Sequence, residues 1–74
     1  MNSLKNNCET FNLNGLTYLY RTPMTILEML LYLGFNTQII VIDYNGRVLQ
    51  KDLWKKTRLK KQDSIEILTI AGGG

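Results

Sequence analysis

The chain has 74 residues, 45% of them hydrophobic, with one cysteine, no histidine and a formal net charge of +3 at pH 7. A chain of this length forms a single domain over residues 1–74, too small to enclose a substrate-sized cleft beside its core. One cysteine without histidine excludes a disulfide framework and a clustered zinc site, so the composition argues against an enzyme and against a metalloprotein.

The sequence also lacks the marks of a membrane or exported protein. No apolar run approaches the roughly 20 residues that a membrane-spanning helix needs. Residues 1–14 lack the charged start and apolar stretch of a signal peptide. Together with the lone Cys8, these features predict a reducing interior compartment, the cytoplasm, or a plastid stroma if the gene is organelle-encoded.

The first elements along the chain are predicted to be a hairpin. Residues 1–8 are polar and are expected to be a loose N-terminal extension. Residues 9–13 alternate polar and apolar side chains as a half-buried strand does, and residues 16–20 are a second β-rich run. Asn14-Gly15 between them is typical of a type I′ turn, because both central residues of that turn need positive φ.

A short amphipathic helix is predicted next. Thr25 and Glu28 have the spacing of a capping box, in which each side chain binds the other residue's backbone N–H. Thr22-Pro23 is a competing start, with proline at the first helical position. Gly34 is suited to end the helix in the left-handed conformation. The apolar stripe at i, i+3, i+4 spacing consists of Ile26, Leu27, Leu30, Leu31 and Leu33.

Two further strands and a loop lead to the last strand. Residues 39–42 are all β-branched, and a strand apolar on both faces belongs in the middle of a sheet. Asn45-Gly46 predicts another tight turn, followed by a short strand over residues 47–50. The last strand is predicted over residues 64–70. The connecting loop between these strands is expected to be pinned to the core by Leu53, Trp54 and Leu59.

The predicted order is hairpin, helix, strand, short strand, loop and strand. This order and length fit the α+β class and the β-grasp (ubiquitin-like) fold, in which a mixed four- to five-stranded sheet packs on one main helix. Residues 71–74 are expected to form a flexible C-terminal glycine tail.

Most of the basic residues are concentrated between residues 47 and 61, where Asp52 is the only acid. Such a segment attracts an acidic surface of a protein or a nucleic acid, although a solvated face that keeps the protein soluble is the plainer interpretation. The basic residues of the segment are Arg47, Lys51, Lys55, Lys56, Arg58, Lys60 and Lys61.

The chain ends in Ala71-Gly72-Gly73-Gly74. Three terminal glycines would arise by chance about three times in ten thousand. Glycine lacks a Cβ, so the run is slender, and its three residues reach about 10 Å. The tail can therefore thread a terminal carboxylate through a narrow channel into another protein's active site, where adenylation would activate it.

The last strand offers a docking surface beside that tail. Ile65 and Ile67 share one face of the strand, whereas Leu68 and Ile70 share the other with Glu66. If the first face packs on the helix, Leu68 and Ile70 are left on the open face as a docking patch for partners. A strand buried on both faces, or twisted by a bulge, is an equal alternative.

The sequence resembles the ThiS family, the sulfur carriers of thiamine biosynthesis, over residues 9–74. The motifs that carry the resemblance are Ile-Ile-Val-Ile-Asp-Tyr-Asn-Gly-Arg-Val-Leu at residues 39–49, then Trp54, then Leu-x-x-x-Asp-x-Ile-Glu-Ile at residues 59–67, and the tail at residues 71–74. Together they are more specific than the tail alone. The polar N-terminal extension departs from the family's usual start.

The resemblance implies a defined chemical cycle. An E1-like adenylating enzyme of the ThiF type uses ATP to convert the terminal glycine to an acyl-adenylate. Sulfur from cysteine, delivered by a donor such as a cysteine desulfurase, then yields a thiocarboxylate, which thiazole synthase (ThiG type) consumes. The resemblance assigns adenylation and thiocarboxylate formation to Gly74 and channel threading to Gly72 and Gly73. The carrier itself is expected to bind no cofactor and no metal.

Alternatives of two classes remain open. A MoaD-type carrier for molybdopterin synthesis, or a carrier for cysteine synthesis or protein conjugation, would have the same tail chemistry, and only its partners would differ. A β-grasp nucleic-acid-binding module would instead use the basic 47–61 segment, although Trp54 is its only aromatic residue suited to base stacking. We expect neither a nucleic-acid nor a membrane partner. Catalysis by the chain itself is least expected, because Asp43, Asp52 and Asp63 all lie where turns favour Asp.

Overall fold

The computed structural model describes residues 7–70, which form a five-stranded mixed sheet with one helix on one face. The sheet order is β2-β1-β5-β3-β4; β1 and β5 run parallel and the other neighbouring pairs antiparallel. This confirms the predicted α+β β-grasp architecture. The elements are β1 (Cys8–Leu13), β2 (Leu16–Arg21), α1 (Ile26–Tyr32), β3 (Ile40–Tyr44), β4 (Arg47–Leu49), a 3₁₀ helix (Lys51–Leu53) and β5 (Ser64–Thr69).

Both predicted hairpin turns are present. Asn14 and Gly15 have φ of 51° and 85°, and Asn45 and Gly46 have φ of 53° and 90°. Positive φ at both central residues is the type I′ geometry, which suits the right-handed twist of the strands on either side. The two Asn-Gly pairs therefore set the registers of β1 with β2 and of β3 with β4.

The predicted loose extension over residues 1–8 ends too late in the chain, because Cys8 already belongs to a strand. Cys8 is the first residue of β1 and lies opposite Arg21 of β2. The Asn7 carbonyl accepts a hydrogen bond from the Thr22 N–H at 2.7 Å, which continues the pairing by one residue. Residues 1–6 lie outside the described part of the chain.

The capping box of α1 is confirmed. The Thr25 hydroxyl accepts from the Glu28 N–H at 3.1 Å, and the Glu28 carboxylate accepts from the Thr25 N–H at 2.8 Å. The helix therefore begins at Ile26, and the competing start at Thr22-Pro23 is wrong. Gly34 follows the end of the helix with φ of 84°, as predicted for its last turn.

The predicted apolar stripe of α1 is only partly correct. Ile26, Met29 and Leu30 are the buried residues of the helix, and Met29 was not predicted. Leu31 is 60% exposed because the next residue along a helix is rotated by about 100° from the buried Leu30. Leu33, the C-terminal cap, is also exposed. A seven-residue helix covers the sheet with fewer than two turns of side chains, so the stripe is narrower than the sequence suggested.

The central strand of the sheet is β5, not β3. The run at residues 39–42 was predicted to lie mid-sheet, and β3 does have a neighbour on each side, but β5 lies between β1 and β3. The two faces of β3 also differ, because α1 covers only one of them: Ile40 and Ile42 are buried, whereas Val41 is half-buried. The core comprises Phe11, Leu13, Tyr20, Ile26, Met29, Leu30, Ile40, Ile42, Trp54, Leu59, Ile65 and Ile67.

The loop between β4 and β5 wraps the start of α1. The Trp54 and Thr57 carbonyls accept from the first N–H groups of the helix at 3.1 Å and 2.8 Å, which satisfies donors that a helix start leaves unpaired. Trp54 and Leu59 are buried as predicted. Leu53 is 41% exposed, so its predicted anchoring role is wrong; it ends the 3₁₀ helix, which has no buried residue.

Candidate functional site

β5 leads directly toward the glycine tail, and its two faces differ sharply. Ile65 and Ile67 are 1% and 9% exposed and pack into the core, whereas Leu68 and Ile70 are 58% and 48% exposed. The helix therefore covers one face only, as the predicted alternation requires, and a strand buried on both faces is excluded.

Leu68 and Ile70 are part of a larger apolar surface on the open face, which we call the exit patch (Ile39, Val41, Leu68 and Ile70). Leu68 of β5 lies directly opposite Val41 of β3, and the Ile70 N–H donates to the Ile39 carbonyl at 2.7 Å. Ile39 is 39% exposed. Cross-strand partners share a face of the sheet, so the four side chains form one strip at the point where the chain leaves the domain. Contiguous exposed apolar surface of this kind is typical of protein docking sites.

The expected reactive residue Gly74 and the threading residues Gly72 and Gly73 lie outside the described residues. Their roles remain predictions from the sequence. The structure does describe Ile70, which directly precedes the tail (residues 71–74) and lies within the exit patch.

The start of β5 is fixed by a buried carboxylate that the sequence did not predict as such. Asp63 is 6% exposed and accepts three hydrogen bonds, from the Tyr44 hydroxyl at 2.7 Å, the Asn45 amide at 3.1 Å and the Lys60 N–H at 2.7 Å. Its backbone carbonyl also accepts from the Asn12 N–H of β1 at 2.8 Å. Asp63 thus ties β1, β3 and the loop to the first residue of the central strand.

The asparagines of the two hairpin turns bind β5 at its first residue and at Ile67 in its middle. The Asn45 side-chain oxygen accepts from the Ser64 N–H at 2.7 Å, and the Asn14 side-chain oxygen accepts from the Ile67 N–H at 2.8 Å. Each asparagine therefore has two roles, a positive-φ turn position and a side-chain acceptor for β5. The Asn-Gly signal predicted the first role; the second depends on where the folded chain places β5.

We expect the contribution of the Tyr44–Asp63 hydrogen bond to the free energy of unfolding to decrease at high pH. Burial, together with the hydrogen bond to the Asp63 carboxylate, raises the pKa of Tyr44 above its usual value of 10.0. The unfolded chain loses this proton near pH 10 while the folded chain retains it. The stabilisation is therefore complete below pH 10 and is lost as the pH rises beyond it. Denaturant titrations of the wild type and Tyr44→Phe from about pH 8 to about pH 11 should show their difference in unfolding free energy shrinking. A difference that stays constant over this pH range would contradict the prediction.

The basic segment runs from β4 through the 3₁₀ helix to the turn before β5. All seven of its cations are exposed, and they give residues 47–61 a formal charge of +6 against −3 for the rest of the chain. Residues 54–58 lie against the start of α1 and residues 60–61 precede β5, whereas Leu49 in β4 is level with Ile67, next to the exit patch. Trp54 is 2% exposed and donates its indole N–H to the Leu49 carbonyl at 3.0 Å, so its ring is not available for base stacking. This disfavours the nucleic-acid alternative.

Other candidate sites are weaker. Among residues 7–70 there is no group of three His, Cys, Asp or Glu residues that could hold a metal ion. A mainly apolar cleft of about 410 Å³ lies between β2 and α1, with Cys8 and Met24 in its wall, but no residue of the exit patch lines it. Within the same described part, no helix is long and apolar enough to cross a membrane.

Known proteins are similar to this chain in sequence and in fold. One relative is the uncharacterized protein ycf40 of Trieres chinensis. It is 36% identical over 66 residues, which cover 89% of this chain and 90% of the relative. The ycf40 protein of Porphyra purpurea is 35% identical over 65 residues, covering 88% of this chain and 92% of its own. The crystal structure of the thiamine biosynthesis protein ThiS from Geobacter metallireducens superposes with a TM-score of 0.76 at 25% identity, covering 88% of this chain and 99% of that one.

The ThiS family model matches residues 9–74, which includes the terminal glycines. The solved ThiS structure supports the same assignment through its fold. The resemblance predicted from the residue motifs is therefore confirmed, and the chain belongs to the ThiS family.

Proposed function

We propose that this protein is a sulfur carrier whose C-terminal Gly74 is adenylated, converted to a thiocarboxylate and used as the sulfur source for the thiazole ring of thiamine. The observation that carries the proposal is the ThiS family match, which extends over residues 9–74 and so includes the terminal glycines. The exit patch supports it, because the apolar surface adjoins the root of the tail.

The chemistry requires only a slender, accessible carboxylate from this chain. A carboxylate oxygen of Gly74 attacks the α-phosphate of ATP in an E1-like adenylating enzyme of the ThiF type, and pyrophosphate leaves. A persulfide sulfur from a donor such as a cysteine desulfurase attacks the acyl carbon, and AMP leaves. A thiol then reduces the resulting S–S bond and frees the thiocarboxylate. A thiazole synthase of the ThiG type consumes this sulfur, and ATP is bound by the partner rather than by the carrier.

The tail and the folded domain have separate roles in this proposal. Gly72 and Gly73 lack a Cβ, so they can pass through a channel too narrow for other residues and bring Gly74 to a buried active site. The exit patch would bind the enzyme surface around the channel mouth. Since the partners supply the catalytic groups, the domain needs only to present the tail.

The direct test is intact mass spectrometry after incubation with the cognate adenylating enzyme, ATP, a cysteine desulfurase, cysteine and a thiol reductant. The protein should gain the mass difference for one oxygen replaced by sulfur, and fragmentation should place the change at Gly74. An unchanged mass in the presence of an adenylating enzyme that is active by ATP–pyrophosphate exchange would refute the proposal.

A substitution in the exit patch tests the docking role. We expect Leu68→Asp to reduce kcat/KM for adenylation about 10- to 30-fold, because burying a charge in place of an apolar anchor removes a central contact. Unfolding free energy should change little, since Leu68 is 58% exposed. The matched control is Leu19→Asp, because Leu19 is 70% exposed on the edge strand β2. Equal activities of the two variants would argue against docking at Leu68 and Ile70.

The receiving pathway is a separate question, because a MoaD-type carrier would form the same thiocarboxylate. Incubating the loaded carrier with purified thiazole synthase and, separately, with the large subunit of molybdopterin synthase distinguishes the two, since only the cognate enzyme should remove the sulfur. We propose the thiamine pathway and an interior compartment, the cytoplasm or a plastid stroma.

A further inference from the structure

The central strand loses one of its two neighbours before it ends. β1 pairs with β5 only through Asn12 and Leu13, and beyond them the Asn14 side chain accepts from the Ile67 N–H. On the other side, β3 continues to pair up to Thr69. Among the described residues, the last part of β5 is therefore paired on the β3 side alone.

The direction of the backbone groups at Thr69 follows from the hydrogen bonds on either side. The Ile65 carbonyl and the Ile67 N–H point toward the hairpin of β1 and β2, while the Ile70 N–H points toward β3. Backbone groups alternate in direction along a strand, so the Thr69 N–H and carbonyl point away from β3. They face the side where the hairpin has already ended, and no described residue is paired with them there.

The unpaired side of β5 at residues 68–70 is a short sheet edge, and it lacks the features that usually prevent strand addition. Natural edges are blunted by proline, lysine or inward charge, whereas Leu68, Thr69 and Ile70 are uncharged. All three are exposed, and the first and last belong to the exit patch. A strand added here would gain backbone hydrogen bonds at Thr69 and apolar contacts on one face.

We propose that an extended segment of the adenylating enzyme binds beside Thr69 as an added strand, and so aligns the root of the tail. This inference rests on the proposed function and specifies how that function's first partner recognises the chain. Backbone pairing at Thr69 would hold the chain extended where it enters the tail, which a contact through apolar side chains alone would not do. The alternative occupant of the same edge is a second copy of this chain.

The experiment compares Thr69→Pro with Thr69→Val in the adenylation assay. Proline removes the outward N–H without breaking a bond to β3, and it is tolerated where a strand's N–H faces solvent. Valine removes the hydroxyl but retains the N–H, so it isolates the backbone donor. We expect kcat/KM of Thr69→Pro to be about tenfold lower than that of Thr69→Val.

Amide hydrogen exchange on the wild type provides a second measurement that does not depend on how well the proline variant folds. In the free protein, the Thr69 amide should exchange much faster than the Leu68 amide, and binding of the enzyme should slow it at least tenfold. Unchanged exchange at Thr69 in the complex, or equal kcat/KM for the proline and valine variants, would overturn the inference. Slowing with increasing concentration of the free protein would also overturn it, in favour of a second copy. If the wild type is not adenylated at all, the proposed function fails instead.

Discussion

Deleting Gly74 is expected to abolish sulfur loading completely while leaving the fold intact. The deletion moves the terminal carboxylate back by one residue, about 3.5 Å, so it no longer reaches the α-phosphate of ATP in the enzyme's active site. Loss of proximity at the reacting atoms costs orders of magnitude in rate. Intact mass spectrometry should therefore show no oxygen-to-sulfur gain for the deletion variant under conditions that convert the wild type.

The matched control is Gly74→Ala, which keeps both the length of the tail and its carboxylate. It adds one Cβ next to the reacting carbon, so we expect slower but measurable loading. Thermal unfolding of both variants should match the wild type, because the buried core ends at Ile67. A deletion variant that still gains sulfur would place the reactive group elsewhere in the chain.

Local sequence signals predicted the features that depend on nearby residues. The two Asn-Gly turns, the Thr25–Glu28 capping box and Gly34 each involve groups within a few positions of one another, and all were found. The opposite faces of β5 followed from simple alternation. The order of these elements was enough to indicate a β-grasp domain, because few folds combine them in 74 residues.

The features that the sequence missed depend on contacts between distant segments. Leu31 is as apolar as Leu30, and only the orientation of a seven-residue helix over the sheet decides which of them is buried. Leu53 fits an anchor pattern, but the 3₁₀ helix turns it outward. The exit patch could be predicted only in part, because Ile39 and Val41 join it through a cross-strand register.

Much of the charge and the apolar surface lie at different ends of β5. The second half of the basic segment, residues 54–61, lies by the start of α1 and before Ser64, whereas the exit patch ends at Ile70. Electrostatic attraction at the first surface can speed encounter with an acidic partner without covering the second. A carrier that visits successive enzymes benefits from this separation, since each enzyme must reach the tail.

The largest expected loss of stability comes from Asp63→Ala. This variant leaves the Tyr44 hydroxyl, the Asn45 amide and the Lys60 N–H without their shared acceptor. Hydrogen bonds to a charged group contribute about 1.5–3 kcal/mol, and the half-buried Tyr44 hydroxyl adds a desolvation cost when it loses its acceptor. We expect a loss of about 3 kcal/mol in unfolding free energy, a large share of the total for so small a domain.

The control for this prediction is Asp52→Ala, which makes the same chemical change and the same change in net charge at an exposed position. Denaturant titration should place Asp52→Ala within about 0.5 kcal/mol of the wild type and Asp63→Ala far below it. Asp63→Asn should fall between them, because its single oxygen can still accept from the Tyr44 hydroxyl and the Lys60 N–H while its amide opposes that of Asn45. Equal stabilities of the two alanine variants would mean that water replaces the carboxylate at no cost. The start of β5 would then depend on the backbone hydrogen bonds of Asp63 and Ser64 and on the Asn45 side chain.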